Sequence, residues 1–242
     1  MTRKLGCWLA LWLALLWLAP LQAATLRVVV DDSTEMPLAE LRDGLLLQGW
    51  HKDVGELLAA RLGREAEFVI RPRKRLPAEL NNGGADMVCG YKPEWLPGPF
   101  AWSVPVADLS EVLITPQREP RPRSLAAVAG QPVGTVLGFR YPELEAVLGT
   151  RFIRDDAPSA ETNLDKLAAG RIPHVIISSL YLDYQRKRGR FKLPLHPRLL
   201  VSRSQVRCAL SPGSRIELRQ LNAAIRTLQA EGSLQAVLRH YR

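Results

Sequence analysis

The sequence predicts an α/β protein of two lobes, and three observations carry the prediction. A short apolar strand, a helix and another strand recur over the last three quarters of the 242 residues. That alternation calls for parallel strands covered by helices. An apolar leader, residues 1–24, stands ahead of it, and the roughly 218 residues that remain suffice for one large domain or two lobes of about 100 residues each.

The leader carries Arg3 and Lys4, an apolar run from Leu5 to Leu18, and small residues at Ala23-Ala24. This is the pattern of a cleavable secretory signal, and the run is shorter than the about 20 residues a membrane span needs. Cys7 lies inside the segment, so it is not a lipid-modified cysteine following a signal. The processed protein is expected in a bacterial periplasm. Loss of Arg3 and Lys4 lowers the net charge from +9 to +7. Basic residues cluster at Arg71, Arg73, Lys74 and Arg75, and again at Arg186, Lys187, Arg188, Arg190 and Lys192. They read either as solvated faces or as surfaces for anionic partners. Export and the lack of a recognition motif argue against nucleic acid.

Element by element, TLRVVVDD (25–32) is a β-branched strand that ends in acidic residues. Gly49 to Gly63 places Val54, Leu57, Leu58 and Leu62 at helical spacing before a terminating glycine. EAEFVIR (65–71) is the next strand, Leu76 to Asn82 a short helix stopped by Gly83-Gly84, and ADMVCG (85–90) a third strand. Tyr91 to Pro105 is a proline-stiffened loop bearing Trp95, Phe100 and Trp102. SEVLIT (110–115) resumes strand, and Gln117 to Arg123 is a charged linker.

A second unit opens at Ser124 with a short helix, SLAAVAG, then PVGTVLG (132–138) as strand and turn. YPELEAVLG (141–149) is a helix with proline in its first turn, and Ser159 is placed to cap the next. Asp155 and Asp156 are read as preceding that helix, in a cap or surface role. HVIISS (174–179) is a buried strand, a helix runs through Tyr184, and QVRCALS (205–211) precedes two last helices, 214–230 and 232–241. Cys89 and Cys208 both survive signal removal inside apolar strand-like runs. They are either a disulfide, which an oxidising compartment permits, or two buried thiols packing as small hydrophobes.

Read together, LRVVVDD, GWHKDVGELLAARLGREAEFV, LPAELNNGGADMVCG, WSVPV, LAAVAGQPVGTVLG, NLDKLAAGRIPHVII and LNAAIRTLQAEGSLQAVLRHY resemble, in order and spacing, bacterial extracellular solute-binding proteins of family 3, the two-lobed, amino-acid-binding type II periplasmic receptors. The resemblance covers nearly all of the chain after the leader. It implies that each lobe is a mostly parallel sheet flanked by helices, with a ligand cleft between lobes. It implies a first lobe of 25–115 plus 205–242 and a second of 116–204, with crossovers near Ile114 to Gln117 and Val201 to Gln205. It also sets QVRCALS beside ADMVCG, which makes a Cys89–Cys208 bridge conceivable.

The departures inform the ligand. Family members usually follow the third strand with a threonine and then an arginine that grips the ligand carboxylate; here the loop reads YKPEWLPG, with Trp95 or Leu96 near the arginine's place. Where the family often carries an aspartate for the ligand ammonium, this chain has Ser178 and Ser179. The resemblance therefore implies the fold without implying a free α-amino acid. Remaining candidates are Arg140 with Tyr141, at a helix start that favours anions, and Asp31 and Asp32, as receivers of a cationic or hydroxylated group or as turn caps. Tyr91, Trp95 and Trp102 read as stacking faces or core, Trp50 likewise, and Arg73 or Arg75 as a cleft-facing cation.

The resemblance implies a monomeric receptor that closes on a small polar, anionic or zwitterionic solute and presents it to an inner-membrane permease of the ABC type. Its alternative is a sensor signalling to a membrane receptor. A lyase with Glu94 as cleft acid is a third reading. Against that third reading, no nucleophile elbow, phosphate loop or cysteine–histidine signature is present; no cofactor is expected, and His51, His174, His196 and His240 are too scattered for a zinc site.

Overall fold

The computed structural model describes residues 24–242; the expected leader, apart from Ala24, lies outside the described residues. Strand β1 (Thr25–Asp31) pairs in parallel with β4 (Glu65–Arg71), Thr25 opposite Glu65 through Asp31 opposite Arg71. Between them come a small hairpin of β2 (Glu40–Arg42) and β3 (Leu45–Gln48), and helix α1 (Trp50–Arg61). The hairpin turns on Asp43-Gly44, with φ of 52° and 74°. Asp-Gly is a preferred pair for a two-residue hairpin turn, a signal the strand–helix reading of this stretch passed over. Helix α2 (Leu76–Asn81) returns the chain to β5 (Met87–Tyr91) on the other side of β1, again parallel.

After the two-residue β6 (Ala101–Trp102) comes β7 (Ala107–Ile114), which begins three residues before the expected strand. The second unit runs β8 (Pro132–Val136), α3 (Pro142–Leu148), β9 (Ile153–Ala157), α4 (Ala160–Ala168), β10 (His174–Ser178) and α5 (Ser179–Lys187). Asp155 and Asp156 thus lie in an edge strand parallel to β8, not in a helix lead-in, and they pair with Lys166 and Arg154. Ser159 caps α4 as expected, its Oγ accepting from the Thr162 N–H at 3.1 Å. The long β11 (Leu199–Leu210) precedes α6 (Leu218–Ala230) and α7 (Ser233–Tyr241). β11 begins six residues before the expected strand, and α6 starts four residues later than expected because a turn, Ser211–Ser214, comes first.

The strand order is β4-β1-β5-β11-β7-β10-β8-β9, with β6 on β11. Residues Arg207–Leu210 of β11 run antiparallel to β5, and Leu199–Val206 run antiparallel to β7. Strand β10 is antiparallel to β7 and parallel to β8. Alternating side chains go to opposite faces, so each half of the sheet is buried twice. In the first half, Leu26 and Val28 meet Val54, Leu58, Leu221 and Ile225 on one face, while Val29 meets Leu76, Leu80 and Phe100 on the other. In the second, Val112, Ile114, Val175 and Ile177 meet Leu164 and Leu167, while Leu113 and Ile176 meet Val128 and Leu144. Each such aliphatic side chain contributes about 1.5–3 kcal/mol when fully buried.

Cys89 and Cys208 stand directly opposite one another on β5 and β11 and are joined by a disulfide, 119 residues apart in sequence. The two halves also touch outside the sheet. Leu180 and Tyr184 of α5 pack into the first core, Tyr184 lies 6.4 Å from the Tyr241 ring, and Lys187 Nζ donates to the His240 carbonyl at 2.6 Å. Among the described residues no helix is long and apolar enough to cross a membrane.

Candidate functional site

Parallel strands of both halves direct their carboxyl ends towards the middle of β11. Tyr91 at the end of β5 pairs with Arg207, while Ser178 at the end of β10 pairs with Glu111, itself opposite Ser202. The five steps from Ser202 to Arg207 along β11 separate the two sets of strand ends by about 17 Å. In open α/β sheets the crevice beyond the carboxyl ends is where ligands bind.

On the first side, β1 ends in Asp31, which is 3% exposed. Its Oδ1 accepts from the Ser33 N–H at 3.0 Å and the Ser33 hydroxyl at 2.8 Å, an Asx turn that stops the strand. Its Oδ2 accepts from the Tyr91 hydroxyl at 3.3 Å and lies 3.5 Å from Arg73 Nη1. The Arg73 guanidinium sits 5.3 Å from the centre of the Tyr91 ring. Burial, reinforced by the Asp31 charge, pushes the Tyr91 phenol well above its usual range, so it stays a donor. Behind them His51 stacks edge-on against Trp50, ring centres 5.1 Å apart. Burial lowers His51 to about 4 against the opposing pull of Asp31, so the ring is neutral at pH 7. Gly90 makes room for this pair: a Cβ there would lie 3.0 Å from His51 Cε1 and 3.1 Å from Trp50 Cζ3.

Further out on the first side, Lys92 Nζ lies 4.5 Å from the Trp95 ring centre, and Trp95 is 43% exposed. Asp32 and Arg75 are exposed, as is Glu94 on the same short turn as Trp95. Trp102 packs partly buried beside Val29 and Phe100, and Trp50 is fully buried.

On the second side, the turn between β8 and α3 exposes Leu137, Phe139 and Arg140. Arg154 steadies that turn, donating to the Phe139 carbonyl at 3.0 Å while paired with Asp156 at 2.7 Å. Tyr141 differs from expectation: it is 2% exposed in the core, its hydroxyl accepts from the Val136 N–H at 3.1 Å, and burial pushes it up to about 12. It supports the turn from beneath. The Ser178 hydroxyl serves as N-cap of α5, accepting from the Tyr181 N–H at 3.5 Å, and the Ser179 hydroxyl accepts from Arg198 Nη1 at 3.1 Å. Between the two sides stands Glu111. Burial, with Glu143 nearby, raises its carboxyl pKa; Ser202 and Lys92 oppose the rise.

Asp31, Tyr91 and Arg73 are thus brought into contact, while Arg75 and Asp32 are exposed, as are Trp95 after β5 of the first half and Arg140 after β8 of the second. His51, Lys92 and Glu111 were not singled out for the site from sequence. An acid in the apolar run SEVLIT was the available signal for Glu111. Among the described residues no group of three His, Cys, Asp or Glu side chains is placed to hold a metal ion.

No family model matches the chain, and no curated protein matches it in sequence. Solved structures do match in fold. An ancestral arginine-binding protein bound to arginine superposes with a TM-score of 0.66 at 18% identity, covering 91% of this chain and 99% of that one. Substrate binding domain 2 of Lactococcus lactis GlnP, in an open conformation, gives 0.68 at 16% identity, with 91% and 97% covered. The periplasmic VFT2 domain of Bordetella pertussis BvgS gives 0.67 at 20% identity, with 90% and 93% covered. The chain has the two-lobed fold of type II periplasmic binding proteins, with a cleft between lobes.

Proposed function

We propose that this protein is a non-catalytic periplasmic receptor for a small polar solute, anionic or zwitterionic, which it captures by hinge closure and delivers to an inner-membrane permease of the ABC type. The observation that carries the reading is that β5 of the first half ends opposite Arg207 and β10 of the second half reaches, through Glu111, Ser202, so that strand ends of both halves meet one short stretch of β11, with Trp95 exposed on the rim of one half and Arg140 on that of the other. A ligand touching both rims stabilises the closed form through contacts the open form lacks. A second reading, a sensor that passes closure to a membrane receptor, is favoured by the likeness to the BvgS domain. The lobes are proposed as 25–115 with 205–242 and 116–204, with one adjustment. Val112, Leu113 and Ile114 pack in second-side cores, which moves the first crossing to Asp108–Glu111.

The test is a thermal-shift panel on protein unfolded and refolded to remove carried ligand, covering amino acids, oligopeptides, polyamines, organic acids and aromatic metabolites. At 100 times Kd a ligand stabilises by about 2.7 kcal/mol, roughly 5–10 °C at this size. A saturable hit lost in Arg140→Ala or Trp95→Ala supports the receptor. No hit across the panel overturns solute capture.

A further inference from the structure

We propose that Arg73 is a specificity-determining residue: its guanidinium fills, from within the chain, the cation position of the subsite made by Asp31 and Tyr91, and so turns the first-lobe wall towards anions. The inference rests on the receptor reading above.

A buried carboxylate requires compensation, and Asp31 is almost wholly enclosed, its side chain 4% exposed. Ser33 and Tyr91 supply neutral donors. Arg73 is the ion-pair partner, at 3.5 Å. An enclosed carboxylate beside an aromatic face is the pair of features that recognises an ammonium or guanidinium group. Both features are already in use by one side chain of the protein.

That side chain is not locked in place. Arg73 is 52% exposed and stands on a single turn of 3₁₀ helix, Arg73–Arg75, and its ion pair is longer than a direct hydrogen bond. Lys74 and Arg75 on the same turn are exposed and pair with no carboxylate among the described residues. Of the three cations on this turn only Arg73 meets a carboxylate among the described residues, and its outer N–H groups are left to donate to an anionic ligand. Removing the guanidinium uncovers Asp31 and Tyr91 and reverses the preference.

The experiment is isothermal titration of agmatine, a guanidinium without a carboxylate, into wild type, Arg73→Ser, Arg73→Lys and the double variant Arg73→Ser with Asp31→Asn. Arg73→Ser is expected to bind agmatine about tenfold or more tightly than wild type, the worth of one charge-assisted contact. The charge-keeping lysine should behave as wild type, and the double variant should lose the gain. Equal agmatine binding by wild type and Arg73→Ser, or a gain that persists without the Asp31 charge, overturns the proposal. Thermal melts establish folding of each protein, with Arg73→Gln as the substitute should the serine variant not fold. Failure of the receptor reading is seen separately, as wild type that responds to nothing in the solute panel.

Discussion

Ser202 and Glu111 face one another on β11 and β7, the two strands shared by both halves of the sheet, the Ser202 hydroxyl donating to Glu111 Oε2 at 3.2 Å. The carboxyl is partly buried and shares its surroundings with Glu143, so its pKa is raised. A carboxyl raised on folding lends stability below the unfolded pKa near 4.3 and loses it as pH rises through the folded value. Glu111→Gln is therefore expected to raise Tm at pH 7.5 and to leave it unchanged at pH 4. Thermal melts at the two pH values check this; a lower Tm at pH 7.5 would show that the charge is stabilising.

Acid should destabilise the protein through two enclosed histidines. His51 and His174 are both lowered to about 4 by burial, and His174 is held between Thr115 at 2.8 Å and Gln131 at 3.0 Å. Between pH 6.5 and 4 the unfolded chain binds protons that the folded chain refuses, so stability falls as pH falls. Each histidine costs up to about 3 kcal/mol across that window. Urea unfolding from pH 7 to 4 measures the slope, and His51→Gln should flatten it.

Loss of the Cys89–Cys208 disulfide, by Cys89→Ala with Cys208→Ala, should lower stability by about 2–5 kcal/mol, because the bridge closes a very long loop in the unfolded chain. Guanidinium unfolding with and without dithiothreitol reads the effect: wild type should respond to reductant only once unfolding exposes the bridge, and the variant not at all.

Gly90→Ala should destabilise by about 1–3 kcal/mol, since φ at Gly90 is 87° and the added methyl presses on His51 and Trp50. Because Tyr91 follows directly, ligand affinity should fall along with Tm, and Gly63→Ala, which meets nothing within 4 Å, is the control for φ strain alone.

Much of the fold was legible because strands such as Val28–Val30 and Val175–Ile177 are buried on both faces and so read as apolar runs. β9 was missed because IRDDA is an edge strand whose aspartates pair with Arg154 and Lys166, leaving no apolar signature. The start of β11 was missed for a related reason: in LLVSRS, which pairs with β7, Ser202 and Ser204 interrupt the apolar run. In the site, strand endings located Asp31 and Tyr91, but not their partners. Sequence could not decide between Arg73 and Arg75, two residues apart on a tight turn, of which Arg73 reaches Asp31. Nor could it show that the Ser178 hydroxyl is consumed by a helix cap or that Tyr141 turns inward.

The crossing of β7 and β11 also limits how the molecule can move. The two strands pair from Ala107 opposite Val206 to Leu113 opposite Leu199, with one register shift between Leu200 and Ser202, and each is anchored at both ends in packed sheet. Sliding would turn every inward side chain outward, so the ladder resists translation and yields to twist. A rotation about the ladder beside Glu111 would carry the exposed Trp95 with one half and the exposed Phe139 with the other.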